Sequence, residues 1–263
     1  TILDDFEHHI DINKKAWNKR TPIHITSNFY DNEGFKNGKN SLKSIELNAI
    51  GDVKGKSLLH LQCHFGQDSI SFARMGAKVT AVDFSNIAIH EAKKLSKEMN
   101  ISVNFIESDI LNLNLNKKFD IIFSSYGVIG WLPDLNKWAA TISEHLKTGG
   151  LFLLTEFHPF LELIKNNGYD YFYNEKPDVE ISNGTYTDGG ENLTTKTCWW
   201  NHSLTEIFTS LESNNLKLTL FEEYDYSPFF LEDMIQKKEG EYILKSRAKN
   251  STPYVFNLKA LKK

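Results

Sequence analysis

The feature that most constrains the fold is a strand–loop–helix–strand unit over residues 57–83. An apolar run from Ser57 to Gln62 leads into a short loop that ends at Gly66, and a second apolar run stops at Asp83. In α/β proteins, this order of elements places loop N–H groups and a carboxylate about 20 residues later around an adenosine-containing ligand. The unit therefore predicts an α/β sheet with a nucleoside site at the carboxyl ends of its strands.

The loop departs from the glycine-rich pattern of dinucleotide-binding proteins. Gln62 and His64 stand where that pattern has glycine, and Gly66 alone is retained. Because glycine at these positions permits the close approach of a pyrophosphate, its replacement favours a ligand without one. An ordinary strand–turn–helix with no ligand is the alternative interpretation.

Composition and charge limit the function classes. A chain of 263 residues is long enough for one α/β domain with a sizeable core. The net charge of −4 argues against nucleic acid as a partner. Two widely separated cysteines, Cys63 and Cys198, favour a reducing compartment. Since no signal peptide and no apolar run of membrane-spanning length is apparent, we expect a cytoplasmic protein without a membrane partner.

The chain alternates strands and helices without internal repeats. Continuous apolar strands indicate a parallel sheet that is covered by helices on both faces. Ser85 is expected to cap the helix that follows it, and the pair Gly149–Gly150 is expected to stop another. The predicted strands are 57–62, 77–83, 102–107, 119–124, 151–157, 216–224 and 254–259. The predicted helices are 4–18, 42–50, 67–75, 85–99, 134–147 and 203–213.

We expect one domain over residues 1–263. Because no helix separates the last two predicted strands, these strands should pair antiparallel. Aromatic residues and turn signals after residue 157 indicate a β-rich insertion and not another helix. The expected parts are an N-terminal helix with an arm or lid (1–50), a ligand-binding core (51–157), the aromatic-rich insertion (158–200), and a helix with a strand hairpin (201–263).

Several segments resemble the class I S-adenosylmethionine-dependent methyltransferases. The run Leu-Leu-His-Leu-Gln-Cys-His-Phe-Gly, residues 58–66, occupies their glycine-loop position, and Asp83 is the acid that ends their second strand. Ser108-Asp109-Ile110 resembles the acidic segment after the third strand, and residues 146–150 resemble their Leu-Lys-Pro-Gly-Gly turn. The segment 126–134 resembles the one that flanks the methionine moiety.

The resemblance covers about residues 50–260 and is densest over 56–157. Within that family, the chain is similar to a poorly characterised bacterial group with the same loop and a Trp-Asn-His-Ser-Leu segment like residues 200–204. The resemblance implies a Rossmann-like, doubly wound, mostly parallel seven-stranded sheet with an antiparallel C-terminal hairpin. It also implies S-adenosyl-L-methionine as the cofactor and a small-molecule methyl acceptor.

The resemblance assigns roles in cofactor binding. Asp83 would accept hydrogen bonds from the ribose hydroxyls, and Asp109 would accept one from the adenine amino group while Ile110 packs on the ring. His60 stands where the family usually has an acidic residue, and that position is the one expected to contact the amino-acid end of the cofactor. The expected cofactor-binding residues are His60, Gln62, Cys63, His64, Gly66, Asp83, Phe84, Asp109, Ile110, Ser125 and Tyr126.

Methyl transfer from a sulfonium is an in-line displacement that needs a base only when the acceptor must lose a proton. The candidates for such a base are Glu156 and His158 at the end of the fifth strand, and His202 after an aromatic pair. Each has a structural alternative, for example a helix cap at His202. Tyr30, Trp131 and Trp200 are expected to contact the acceptor.

Other interpretations stay open at this point. His60, Cys63 and His64 are residue types that bind zinc, but a structural site needs four ligands, so no metal is expected. A cofactor-binding module with little catalysis, which acts through protein interaction, is an alternative function. A nicotinamide-dependent oxidoreductase is disfavoured by the missing glycines and the C-terminal hairpin. Exposed aromatic residues in the insertion would suit a homodimer.

Overall fold

The structure is a computed structural model, and it describes residues 2–165 and 168–263. Its strands are β1 (Ser57–Leu61), β2 (Lys78–Asp83), β3 (Asn104–Glu107), β4 (Phe119–Ser125), β5 (Leu146–Phe157), β6 (Asp178–Asn183), β7 (Thr194–Trp199), β8 (Leu216–Tyr224), β9 (Met234–Lys238), β10 (Glu241–Leu244) and β11 (Val255–Lys262). Its α-helices are α1 (Ile2–Thr26), α2 (Asn32–Lys36), α3 (Ser44–Ile50), α4 (Gln67–Arg74), α5 (Asn86–Glu98), α6 (Leu135–His145), α7 (Pro159–Lys165) and α8 (Leu204–Ser213).

Within the described residues, seven strands form one sheet in the order β3-β2-β1-β4-β5-β11-β8. The first five of these are parallel, whereas β11 runs antiparallel to both β5 and β8. This arrangement confirms the predicted class I methyltransferase architecture, including its antiparallel C-terminal pair. The strand order reverses between β1 and β4, and ligands of open α/β sheets bind beyond the carboxyl ends at such a point.

Alternation along the strands divides the core between the two faces of the sheet. Leu58 packs in one cluster with α3, α4 and α5, whereas its neighbour Leu59 packs in another with α6 and α8. Both side chains are fully buried, as a strand with helices on both faces requires. The helix that follows β2 begins as predicted, because Ser85 Oγ accepts a hydrogen bond of 3.0 Å from Ala88 N.

The first helix is longer than the predicted 4–18. It extends to Thr26 with Pro22 inside it, although proline removes a backbone donor and usually ends a helix. Tertiary contacts hold it in place: Asn13 donates to the Cys198 carbonyl and accepts from the Cys198 N–H, each at 2.8 Å. Residues 20–26 therefore belong to a helix, and the arm begins after them.

The glycine pair does not stop a helix as predicted. The helix α6 ends at His145, and β5 begins at Leu146, so Gly149 and Gly150 lie within the strand. A Cβ on Gly150 would lie 2.8 Å from the carbonyl oxygen of Lys147. The pair thus permits close backbone packing where the chain enters the sheet.

The insertion contains the predicted β structure and also a helix. The strands β6 and β7 form an antiparallel hairpin, but α7 precedes them, contrary to the expectation of no further helix. The segment between the last two predicted strands contains a second hairpin, β9–β10. Across the described residues, no helix combines the length and the hydropathy needed to cross a membrane.

Candidate active site

A cavity of about 930 Å³ lies beyond the carboxyl ends of the parallel strands. Its floor consists of the loops after β1, β2, β3 and β4, and its walls include residues of α1, the following arm and the insertion. The structure brings all of the predicted cofactor-binding residues to this cavity: His60, Gln62, Cys63, His64, Gly66, Asp83, Phe84, Asp109, Ile110, Ser125 and Tyr126. Their roles in binding stay predictions.

The loop after β1 turns sharply despite its missing glycines. Gln62 (φ 56°) and His64 (φ 53°) adopt the left-handed conformation that glycine adopts at low cost. Both side chains are anchored: Gln62 Nε2 donates to the Val128 carbonyl at 2.9 Å, and His64 Nε2 lies 2.9 Å from His24 Nδ1. Gln62 and His64, which stand at glycine positions, therefore connect the loop to the segment after β4 and to α1 by hydrogen bonds.

Asp83 is buried at the end of β2, where it is 7% exposed. Its carboxylate accepts hydrogen bonds of 2.9 Å from the backbone N–H groups of His64 and Ser85. Burial raises the pKa of Asp83 to about 6, although these backbone donors oppose the shift. At neutral pH the carboxylate is therefore ionised, and its remaining lone pairs can accept hydroxyl hydrogen bonds.

Asp109 has a structural role in addition to its place on the cavity wall. Its Oδ1 accepts from Leu111 N at 3.0 Å, and its Oδ2 accepts from Asn112 Nδ2 at 3.1 Å. The carboxylate thus caps the 3-10 turn Ile110–Asn112, and burial raises its pKa. This turn holds Ile110 against the cavity.

Gly66 is required because the surrounding core leaves no room for a side chain, and not only because a ligand would approach its backbone. Its φ of +88° is unfavourable for other residues, and an added Cβ would lie 2.6 Å from Cζ of Phe105 and 3.1 Å from Cβ of Ala92. Both neighbours are buried core residues. The retained glycine is therefore explained by the contact between the loop and the elements β3 and α5.

We expect Gly66→Ala to lower the free energy of unfolding by about 2–4 kcal/mol, because the change adds both a conformational and a steric cost. Gly149→Ala is the matched control, since φ is +75° but no atom lies within 4 Å of the added Cβ. The control should lose only about 1–2 kcal/mol. Urea unfolding of the three proteins measures both values, and equal losses would contradict the steric explanation.

The three predicted bases do not line the cavity. Glu156 is buried and accepts backbone N–H bonds from Gly127, Val128 (2.8 Å) and Ile129 (3.1 Å). His158 Nε2 pairs with Glu223 Oε1 at 2.7 Å, and His202 Nε2 donates to the Leu132 carbonyl at 2.8 Å. The structure therefore places Glu156, His158 and His202 outside the lining of the cavity, and a catalytic role for them stays a prediction. Their positions in the sequence placed these residues near the strand ends, but in the structure their polar atoms form hydrogen bonds and an ion pair within the protein.

Among the predicted acceptor contacts, Trp200 needs correction. Its side chain is 1% exposed, packs against Phe6 and donates from Nε1 to the Glu175 carbonyl at 3.2 Å. The neighbouring Trp199 lines the cavity instead, with its ring 4.9 Å from that of Trp131. Tyr30 and Trp131 line the cavity as predicted. Adjacent side chains in an extended segment point to opposite sides, and the sequence did not show which side was inward.

Part of one cavity wall was missed, and of its residues Arg20 lies beyond residue 18, where α1 was predicted to end. Trp17 and Arg20 line the cavity, and His24, on the same helix face, contacts the loop residue His64. The i, i+3, i+7 spacing of these residues was a usable signal. Burial lowers the pKa of His24 to about 2 and that of His64 to about 3, so both imidazoles are neutral at pH 7.

The insertion closes the same wall from the other side. His24 Nε2 lies 2.7 Å from Thr185 Oγ1, and the hydroxyl oxygens of Tyr30 and Tyr186 are 2.5 Å apart. These bonds join α1, the arm and the insertion. They fix aromatic faces toward the cavity, although the residues are far apart in sequence.

A buried acid that the sequence reading did not select lies behind Tyr126. Tyr126 Oη donates to Glu46 Oε2 at 2.6 Å, and Glu46 Oε1 accepts from Lys43 N at 2.6 Å. Burial raises the pKa of Glu46 to about 7. This pair can hold or release a proton near neutral pH beside the cavity.

In residues 2–165 and 168–263, no three His, Cys, Asp or Glu side chains are arranged to hold a metal ion. His60 Nδ1 instead lies 2.7 Å from Ser69 Oγ, and His64 pairs with His24. His60 in β1 and His64 in the loop after it are therefore engaged in hydrogen bonds within the protein.

Comparison with known proteins agrees with this geometry. Residues 58–150 match the model of a methyltransferase domain. They lie in a chain that has the fold of the class I methyltransferases. A crystal structure of an S-adenosylmethionine-dependent methyltransferase from Clostridium acetobutylicum aligns over 95% of this chain and 99% of its own, with a TM-score of 0.59 and 19% identity.

Two further relatives of the methyltransferase domain are informative. The glycopeptide N-methyltransferase MtfA, crystallised with S-adenosyl-L-methionine, aligns with a TM-score of 0.54 and 16% identity over 83% of this chain and 91% of its own. The ubiquinone biosynthesis O-methyltransferase of Coxiella burnetii is 32% identical over 48% of this chain and 54% of its own. The chain spans about half or less of the length of the curated relatives it matches.

Proposed function

We propose that this protein transfers a methyl group from S-adenosyl-L-methionine to a small-molecule acceptor. The observation that carries the proposal is the assembly of every predicted cofactor-binding residue around one cavity. The match to a methyltransferase domain over residues 58–150 supports the same reaction class.

The residues at the cavity fit this cofactor. Asp83 presents an ionised carboxylate suited to ribose hydroxyls, while Phe84 and Ile110 offer apolar surface suited to adenine. The cavity of about 930 Å³ is at the upper end of the range for small-molecule sites, which leaves room for an acceptor beside a cofactor. A small molecule is therefore the acceptor class that we favour.

When bound, the cofactor supplies an electrophilic methyl group. The protein would contribute alignment of the acceptor and exclusion of water by α1 and the insertion. The rings of Trp17, Trp131 and Trp199 offer π faces that favour a positive charge. For an acceptor that must lose a proton, we propose Tyr126 with Glu46 as the accepting pair, in place of the three bases predicted from the sequence.

A cofactor-binding protein that acts through protein interaction is the second candidate. It is favoured by exposed apolar side chains on the insertion: Phe172 (70% exposed), Val179 (54%) and Ile181 (71%). This function needs the same cofactor site but no proton-accepting pair.

Calorimetric titration with S-adenosylmethionine and S-adenosylhomocysteine tests the shared cofactor site first. We expect dissociation constants in the micromolar range, about −8 kcal/mol. A screen of small hydroxyl, amine and thiol compounds for release of S-adenosylhomocysteine then separates the two candidates. Binding without turnover of any compound would favour the interaction protein, and absence of binding would remove both.

A further inference from the structure

Arg20 is a buried cation in the wall of the cavity. It lies on α1, is 8% exposed and lines the cavity. Its Nη2 donates to Thr195 Oγ1 at 3.2 Å, while its Nε is buried without a hydrogen-bond partner. None of the ion pairs among the described residues involves Arg20. Among the described residues, most of its five N–H donors therefore have no acceptor.

The surroundings of Arg20 favour a positive charge but do not pair with it. The guanidinium carbon lies 5.5 Å from the ring centre of Trp17 and 6.0 Å from that of Trp131. Such rings attract a cation but offer no directed acceptor for the remaining N–H groups. Glu180 attracts the charge electrostatically, yet this residue is exposed on β6 and is not hydrogen-bonded to Arg20.

Desolvating an arginine without an anion is costly, and a planar guanidinium matches a carboxylate with two parallel hydrogen bonds. We propose that Arg20 binds a carboxylate of a ligand in this cavity. This inference rests on the proposed function and names one subsite of the same cavity.

Two ligands could supply that carboxylate. One is the cofactor itself, through its amino-acid end, and the other is an acceptor that carries a carboxylic acid. The chemistry at Arg20 is the same in both cases. The position of Arg20, between the loop-contacting Trp17 and the insertion residue Thr195, is compatible with either source.

The test compares Arg20→Gln with Lys19→Gln, which removes the same charge from an exposed position one residue away on α1. Each protein is titrated with S-adenosylhomocysteine and with its decarboxylated analogue. Each is then saturated with S-adenosylhomocysteine and titrated with benzoate, with benzamide as the neutral probe. Thermal unfolding shows whether the variants are folded, and Arg20→Lys serves as a second variant that keeps the charge.

If the cofactor supplies the carboxylate, Arg20→Gln lowers the affinity for S-adenosylhomocysteine about 10- to 100-fold and changes that for the analogue less than about threefold. If the acceptor supplies it, the unmodified protein binds benzoate in preference to benzamide, and Arg20→Gln alone loses that preference. A folded Arg20→Gln protein that matches Lys19→Gln in every titration would overturn the proposal. So would an unmodified protein that prefers neither S-adenosylhomocysteine to its decarboxylated analogue nor benzoate to benzamide.

Failure of the proposed methyltransferase function would give a different titration result from failure of the Arg20 proposal. A protein that binds neither S-adenosylhomocysteine nor its decarboxylated analogue lacks the cofactor site altogether, whereas loss of the Arg20 effect leaves cofactor binding intact. In the former case, benzoate titration of the unsaturated protein still tests Arg20.

Discussion

We expect Asp83→Ala to lower the affinity for S-adenosylhomocysteine by at least about 100-fold, because two charge-assisted hydrogen bonds to the ribose would be lost. The carboxylate is also the acceptor for the His64 and Ser85 N–H groups, so the loop after β1 would lose an anchor as well. Calorimetric titration at pH 7.5 measures the affinity, and circular dichroism shows whether the fold is kept.

The control for Asp83→Ala is Glu107→Gln. Glu107 is the register partner of Asp83 on β3, but it is exposed, pairs with Lys14 and lies outside the cavity. We expect this variant to bind S-adenosylhomocysteine as the unmodified protein does. Equal affinities for the Asp83→Ala and Glu107→Gln proteins would show that Asp83 does not bind the ligand.

The same site predicts a pH dependence of binding. Because burial raises the pKa of Asp83 to about 6, its carboxylate gains a proton as the pH falls below that value. A protonated carboxyl accepts hydroxyl hydrogen bonds less well, so we expect the affinity for S-adenosylhomocysteine to decline below about pH 6.

The second large effect concerns stability in acid. Burial lowers the pKa of His60 to about 3, well below the ordinary value of 6.5. The unfolded chain therefore binds a proton at this residue below pH 6.5 while the folded protein does not. The stability that the neutral His60 contributes is complete above pH 6.5 and is lost as the pH falls toward 3.

We expect that loss to reach about 2–3 kcal/mol between pH 7.5 and 4.5 for His60 alone. His60→Asn should reduce the difference in unfolding free energy between pH 7.5 and 4.5 by about this amount, whatever its stability at pH 7.5. Urea unfolding at the two pH values measures the difference. The control is His90→Asn, at an exposed position on α5, and it should leave the difference unchanged.

The comparison between variants is needed because other groups act in the opposite direction. Burial raises the pKa of Glu46 to about 7 and that of Asp83 to about 6. For these acids, stability is present below the unfolded pKa and is lost as the pH rises through the folded pKa. They therefore oppose the histidines in the whole protein, and a single acid-unfolding curve would not isolate His60.

Features that depend on neighbouring residues in the sequence were predicted correctly, whereas features that depend on contacts between distant residues were not. Strand β2 and its final Asp83 were predictable because apolar content and a terminal acid are local properties. The end of α1 was not, since contacts with β7 preserve a helix that continues past Pro22. Glu156 follows the same local pattern as Asp83, yet its lone pairs are taken by backbone N–H groups after β4.

By itself, the sequence determined the class I sheet and the residues at the carboxyl ends of its strands, because continuous apolar runs and the motifs that follow them are local. Only the tertiary structure decided that Trp199 and not Trp200 faces the cavity, and that Arg20 is buried there with no carboxylate partner in the part of the chain that the structure describes. These features depend on how α1 and the insertion pack across the core. Contacts between residues more than 150 positions apart, such as the 2.7 Å contact from His24 to Thr185, leave no local pattern in the chain.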